Sequence, residues 1–274
     1  MSTVVETVEE PQALPKPAWG KHLVAVAVLA VVLALVPLVL PPAQLSVAVR
    51  VLIFAILALG WNIMSGFGGM FSFGHAAYFG LGAYVSVWLL VERGISPWIG
   101  MLVGMVVAAA FAAFVGFLAL RYRLKGAYFA LSTFAFAEML RLLATNSDLV
   151  NRAVGYNVPI RPESSWAFMQ FEPGSANYFW IALALTVVAL VVTIVFLRSK
   201  LGRFTIAVRD DEDAAAALGI PVMRTKLITI ALSGAITSVA GTFYVQYYFF
   251  VDPDVAFGSS VSIQAILPAV IGGV

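Results

Sequence analysis

The sequence predicts an all-α, polytopic transmembrane helical bundle of about eight spans, with a broken-helix element at 65–75. Three observations predict it. Of 274 residues, 62% are hydrophobic and only 11% are charged, with a mean hydropathy of +0.97, far from the composition of a water-soluble domain. Uncharged stretches close to the ~20 residues needed to cross a ~30 Å hydrocarbon core recur along the chain. Lys and Arg collect in alternate inter-span segments, as they do in cytoplasmic loops.

Residues 1–21 carry Glu6, Glu9, Glu10, Pro11, Pro15 and Pro17 and read as a cytoplasmic tail. No small-residue cleavage site closes the apolar run that follows, so no leader peptide is expected. The transmembrane domain occupies 22–274. Seven complete spans are expected at 23–40, 45–64, 74–91, 98–120, 127–145, 178–197 and 227–250, and an eighth begins near Ser262. From there to Val274 a helix extends only about 20 Å, so the fold is expected to continue past the end of this sequence. Alternation places Lys16, Lys21, Arg121, Arg123, Lys125 and the six basic residues of 198–226 on one side, and Arg93, Arg152 and Arg161 on the other. The N-terminus is therefore predicted cytoplasmic, 198–226 a cytoplasmic loop, and 146–176 an external loop.

Several function classes are excluded at this level. The chain has no cysteine, which removes disulfides, thiolate metal sites and thiol catalysis, and two histidines, His22 and His75, are too few for a histidine metal cluster. A net charge of +2 is too small to suggest nucleic-acid binding. His75, Glu138 and Arg141 are too few, and on too many different spans, to suggest catalysis.

The stretch from Trp61 to Tyr84 is apolar and uncharged apart from His75, yet it carries Gly66, Gly68, Gly69, Gly74, Gly80 and Gly82. As an inner loop, 65–73 is odd: it has three glycines and three phenylalanines but no Lys or Arg. Non-helical backbone at membrane depth is tolerated where protein surrounds it or where it lines a cavity. The helix beginning near Gly74–Ala77 is expected to offer free backbone N–H groups and a positive dipole end, suited to a carboxylate or another polar ligand. This makes Ser72, Gly74, His75, Ala76 and Tyr78 candidate pathway residues, with Ser72 a candidate partner for His75. The competing reading is close helix packing through small residues, which also covers Gly100, Gly104, Ser233, Thr237 and Gly241. Glu138 and Arg141, three apart on the fifth span, can pair. Glu138 lies about 20 Å along that helix from Lys125, past the midplane, and reads either as half of a structural ion pair or as a pathway residue.

In 198–226, Asp210, Asp211, Glu212 and Asp213 cluster where a helix start favours negative charge, four alanines follow, and Gly219 with Pro221 ends the element. A single helix of about two turns is expected there, too short to stand alone in water and hence held by its own spans or by a partner.

These residues carry a resemblance. Asp213-Ala214-Ala215 followed after three residues by Gly219 resembles the Glu-Ala-Ala-x-x-x-Gly loop of importer permeases powered by ATP-binding cassette (ABC) subunits. Glu212-x-Ala214-Ala215-x-x-x-Gly219-Ile220 after Gly202-Arg203 and Arg209 is similar to the form in permeases for branched-chain amino acids. So are Gly66-x-Gly68-Gly69-x-x-Ser72-x-Gly74-His75-Ala76-Ala77, Gly80-x-Gly82-Ala83-Tyr84, Phe134-Ala135-x-x-Glu138, and the closing Pro253, Ser262-Ile263 and Gly272-Gly273. The resemblance implies a permease subunit that moves branched-chain amino acids into the cytoplasm across a bacterial inner membrane by alternating access. It implies a second homologous permease subunit, two cytoplasmic ATP-binding subunits that hold ATP and Mg, and an external or periplasmic substrate-binding protein. Arg209, Glu212, Asp213, Ala214, Ala215 and Gly219 would couple the chain to the ATPases. The chain itself has no Gly-x4-Gly-Lys-Ser/Thr loop, since Gly20-Lys21 is followed by His22, and it is expected to hold no cofactor and to be no enzyme. Permeases for urea or short amides share these signatures. An ion-coupled secondary transporter is a more distant alternative, because only Glu138 approaches a mid-membrane acid.

Overall fold

The computed structural model describes residues 19–161, 164–172 and 174–272. The expected tail lies outside the described residues as far as residue 18, as do Gly273 and Val274. Helix α1 (Trp19–Ala34) gives way to the single turn α2 (Val36–Val39). Pro37, which has no N–H to continue the ladder, accounts for the break. Pro41 and Pro42 then start α3 (Pro42–Trp61), which winds into a π-helical stretch, Asn62–Phe67. After a non-helical segment, 68–74, α4 (His75–Arg93) begins; it ends at Gly94, whose φ of 64° lets its N–H turn back onto the Leu89 and Leu90 carbonyls. Helix α5 (Pro97–Arg121) starts with Ser96 as cap and proline in its first turn, and α6 (Gly126–Asn146) follows a short turn. Ser175 and Ser199 cap α7 (Ala176–Arg198) and α8 (Lys200–Asp210), and Asp211 caps α9 (Glu212–Ala217). The long α10 (Val222–Tyr248), the short α11 (Pro253–Phe257) and α12 (Ser259–Gly272) complete the chain. A two-residue ribbon pairs β1 (Tyr156–Asn157) with β2 (Phe250–Val251), antiparallel.

The bundle is all-α and polytopic, but the expected count of eight spans is not reached. Among the described residues six segments are long and apolar enough to cross a membrane: Pro42–Phe67, Pro97–Arg121, Gly126–Asn146, Ala176–Arg198, Val222–Tyr248 and Pro253–Gly272. The first expected span is a shorter apolar stretch, Val24–Val39, interrupted at Leu35. The third, α4, is 19 residues long, and burial explains its mixed composition. Protein covers much of its surface, so small and polar residues such as Gly80, Gly82 and Ser86 stand where a lipid-facing helix carries aliphatic ones. The last span starts earlier than expected, because Asp252 caps a helix at Pro253 that Gly258 divides from α12.

Helices α4, α5 and α10 form the centre. A Cβ on Gly82 would lie 2.1 Å from the Ser238 carbonyl oxygen, and one on Gly241 would lie 1.9 Å from that of Phe79. Gly100 faces Ser86, Gly104 faces Gly82, and Gly234 faces Ala108 and Ala112. The packing reading of these small residues therefore holds. Thr242 Oγ1 donates to the Gly82 carbonyl at 2.9 Å across the same crossing. One end of the bundle carries the 68–74 segment, the α5–α6 turn, and α8 with α9. The other carries the α4–α5 turn, the described parts of the chain between α6 and α7, the ribbon and α11.

Candidate functional site

The helix break lies at 68–74, somewhat inside the expected 65–75, because the π-helical turn carries helical structure on to Phe67. Burial alternates along it: Gly68, Met70, Ser72 and Gly74 point inward, whereas Gly69, Phe71 and Phe73 are exposed. Its backbone bonds to protein in place of water. Trp61 Nε1 donates to the Ser72 carbonyl at 2.9 Å, Ser65 Oγ donates to the Met70 carbonyl at 3.1 Å, and the Phe73 N–H donates to Thr133 Oγ1 of α6 at 3.2 Å. These partners are what irregular backbone at membrane depth would need.

Two expectations about this element are corrected. Ser72 does not partner His75, because Ser72 Oγ accepts from the Gly74 N–H at 3.1 Å instead. Nor is the start of α4 a row of free donors: the Ala76 N–H donates to Ser262 Oγ of α12 at 3.0 Å, and the Ala77 N–H to the Gly74 carbonyl. The physical reason is burial, since a donor sealed among helices must find a protein acceptor. His75 itself is fully buried, with Nε2 3.0 Å from Ser233 Oγ. Ser233 Oγ donates to the Gly60 carbonyl at 2.6 Å, an arrangement that suits a proton on Nε2, and Nδ1 meets no hydrogen-bond partner among the described residues. The Tyr78 ring meets the imidazole edge-to-face at 5.4 Å. Ser72, His75, Ala76 and Tyr78 are thus brought together, but inside the protein.

Glu138 and Arg141 do pair, by 3.0 Å and 2.9 Å bonds from Arg141 Nε to the two carboxylate oxygens and 2.5 Å from Nη2. Asp254 of α11 joins them, 2.5 Å from Arg141 Nη1. The sequence reading missed Asp254, which is distant along the chain and marked only by the neighbouring Pro253. Glu138 is not near the His75 group in sequence register; it sits one and a half turns beyond Thr133, the residue of α6 that holds the broken segment.

The segment 198–226 holds two helices where one was expected. Helix α8 is amphipathic, burying Gly202, Thr205 and Val208, and Thr205 Oγ1 lies 2.9 Å from Thr229 Oγ1 of α10. The acidic cluster divides: Asp210 ends α8, Asp211 accepts from the Asp213 and Ala214 N–H groups as N-cap, and Glu212 and Asp213 fill the first turn of α9. Gly219, at φ 81°, closes it, with the Ile220 N–H returning to the Ala215 carbonyl. Ala215 packs inward, whereas Asp213, Ala214 and Gly219 are exposed and Leu218 is 83% exposed.

Glu212 fastens this helix to the bundle. Its Oε2 lies 2.8 Å from Lys226 Nζ of α10 and 3.2 Å from Lys125 Nζ in the α5–α6 turn. Partial burial opposes its ionisation, but the two ammonium groups outweigh that and hold its carboxyl below the usual carboxylate range. Arg209 reaches the other way. Its guanidinium contacts Asp210 and lies 3.4 Å from the Gly66 carbonyl, and its side chain packs over Gly69, where a Cβ would come within 2.6 Å of Arg209 Cγ. A cavity of about 270 Å³ lies between, bordered by Gly68, Met70, Lys125, Arg209, Glu212 and Lys226. The cluster expected to couple and the segment expected to break are therefore in direct contact.

Residues 44–274 match the family model described as branched-chain amino acid transport system, permease component. The chain is similar to the high-affinity branched-chain amino acid transport system permease protein LivM of Escherichia coli strain K12, 31% identical over 273 residues that cover 92% of this chain and 63% of that protein. It is 30% identical to LivM of Salmonella typhimurium, over 86% of this chain and 60% of that one. LivH of Escherichia coli, a second permease protein of that name, is 26% identical over 81% of this chain and 75% of its own length. The chain thus spans about three-fifths of the length of the LivM relatives it matches. No solved structure matches. On this match, the chain is a multi-pass membrane protein that belongs to the family of permease components of branched-chain amino acid transport systems.

Proposed function

We propose that this chain is a transmembrane permease subunit of an ABC importer that moves branched-chain amino acids into the cytoplasm, driven by ATP hydrolysis on partner subunits. The observation that carries the reading is the α8–α9 junction. A short, acid-capped helix with an exposed Leu218 is pinned through Glu212 to α10 and to the α5–α6 turn, and Arg209 beside it lies on the broken segment that leads into α4. A rigid handle outside the spans, joined to an irregular element within them, suits the transmission of work from an ATPase to a pathway. The basic residues gathered at this end support a cytoplasmic position for it, and with it a cytoplasmic N-terminus in a bacterial inner membrane. Two ATP-binding subunits, a homologous permease partner and an external binding protein complete the proposed assembly, with ATP and Mg held by the ATPases.

In this reading Ser72, Gly74, His75, Ala76, Tyr78 and Glu138 border the pathway, and they become accessible when α4 and the segment before it shift during alternating access. The similarity to LivM and LivH favours leucine, isoleucine or valine. The donors at the start of α4 already have protein partners, so that helix end adds no preference for a carboxylate over a neutral amide.

The test is ATP-dependent uptake of labelled leucine and, in parallel, labelled urea, in cells that express the chain with its neighbouring subunits and in cells lacking the chain. Leucine uptake that requires the chain is expected. Uptake of urea alone would replace the substrate, and uptake of leucine that persists with Gly219→Pro at normal membrane insertion would remove the coupling role of α9.

A further inference from the structure

The outward faces of α5 and α7 are uninterrupted hydrocarbon: Leu102, Val106 and Phe114 on one, Val188 and Val195 on the other, all well exposed. The face of α6 differs. Phe134, Met139 and Leu142 are also exposed there, but among them stands Glu138, with 36% of its side chain exposed, bonded to Arg141 at 26% and through it to Asp254 at 79%. Glu138 lies twelve residues, about 18 Å, into a 21-residue helix, so it falls near the middle of the span. Charged side chains at such depth are costly in lipid and face protein or water. Two carboxylates to one guanidinium also leave the cluster with a net negative charge. Lipid on this face would surround an incompletely neutralised, partly exposed ion network, whereas lipid on α5 and α7 surrounds nothing but side chains that suit it.

We infer that the α6 face bearing Glu138 and Arg141, with Asp254 of α11, is the surface that meets the second permease subunit, along a water-containing seam. The occupant follows from the fold: this chain is similar over most of its length to two differently named permease proteins of one organism's branched-chain transport system, and a partner of the same architecture brings a comparable span to that seam. The inference rests on the proposed permease role and extends it by naming the face. Water in the seam solvates Asp254 and the open side of Glu138, and the aliphatic and aromatic residues flanking them form the dry contact.

The chain contains no cysteine, which makes the test direct. Ala135→Cys, Met139→Cys and Leu142→Cys on the α6 face, and Val106→Cys on α5 as the lipid-facing reference, are made singly in the full complex in membranes. The rate of modification by a membrane-impermeant, positively charged thiosulfonate reagent is measured, together with crosslinking to single cysteines placed along the transmembrane helices of the partner permease subunit. The expected result is modification at the α6 positions at least tenfold faster than at Val106→Cys, and a crosslink to the partner from at least one of them. Rates equal to that of Val106→Cys, or fast modification without any crosslink to the partner, would overturn the assignment of this face. Uptake by the same variants separates the two readings: if the seam is found but branched-chain amino acids are not transported, the surface stands and the substrate reading falls.

Discussion

Gly241→Ala adds one carbon at the closest approach in the bundle. Its Cβ would sit 1.9 Å from the Phe79 carbonyl oxygen and 2.8 Å from the carbonyl carbon, both backbone atoms of α4 that no rotamer change can move away. An ordinary C···O contact is about 3.3 Å or longer, so the helices must part by more than about 1 Å at that point. Separation on that scale also strains the Thr242 to Gly82 hydrogen bond, one residue along, at 2.9 Å. Overpacking of this kind typically costs about 1–3 kcal/mol. With backbone on the receiving side, and with close packing rather than hydrophobic burial holding membrane helices together, the upper end applies. At about 3 kcal/mol the folded ratio falls roughly a hundredfold. Gly94→Ala is the matched control: Gly94 sits at φ 64° with nothing within 4 Å of a built Cβ, so it carries only the left-handed backbone strain of about 1 kcal/mol. The assay is thermal unfolding of the purified protein in detergent, followed by loss of the monodisperse peak in size exclusion. Gly241→Ala should melt well below Gly94→Ala. If the two melt alike, the close crossing of α4 and α10 is not what holds the centre together, and the argument from close packing fails.

Two further outcomes follow from the site. Glu212→Gln keeps the shape of the side chain but removes the charge that pairs with the Lys125 and Lys226 ammonium groups, and should reduce uptake several-fold without reducing the amount of inserted protein. Because the folded-state pKa of Glu212 is depressed, its contribution is present above the ordinary carboxylate range and is lost as the pH falls through the lower folded value. The difference in transport between the parent and Glu212→Gln should therefore persist when the medium on the α9 side is mildly acidic, measured as ATP-driven release of labelled leucine from inside-out vesicles loaded with the external binding protein and substrate. His75→Ala breaks the bond to Ser233 and leaves the Ser233 to Gly60 bond in place. If His75 borders the pathway, transport rate should fall further than the amount of assembled complex, and equal loss of both would return it to a packing role.

Composition and span length were enough to place six of the helices to within a few residues, because hydrocarbon demands about 20 consecutive apolar residues wherever a helix faces it. The same rule explains what was not legible. Where a helix faces other helices that demand lapses, and what Gly82 and Gly241 pack against depends on what stands opposite. That is a tertiary fact: the Ser238 and Phe79 carbonyls are far away along the chain. His75 could be picked out as an ionisable residue in an apolar run, but its partner, Ser233, comes from α10 and was readable only as one small residue among others. Ser262, which takes up the Ala76 N–H, and Asp254, which turns a helical ion pair into a three-membered network, come from segments more than a hundred residues away from their partners. Glu212 stood out by sequence, while Lys125 and Lys226 became its partners only when the ends of α5, α6 and α10 met at one end of the bundle. Local spacing and solvent preference are written in the sequence of each segment, and these the sequence determined by itself. Which polar groups satisfy one another inside a bilayer is decided only when the helices pack, since no water is there to do it instead.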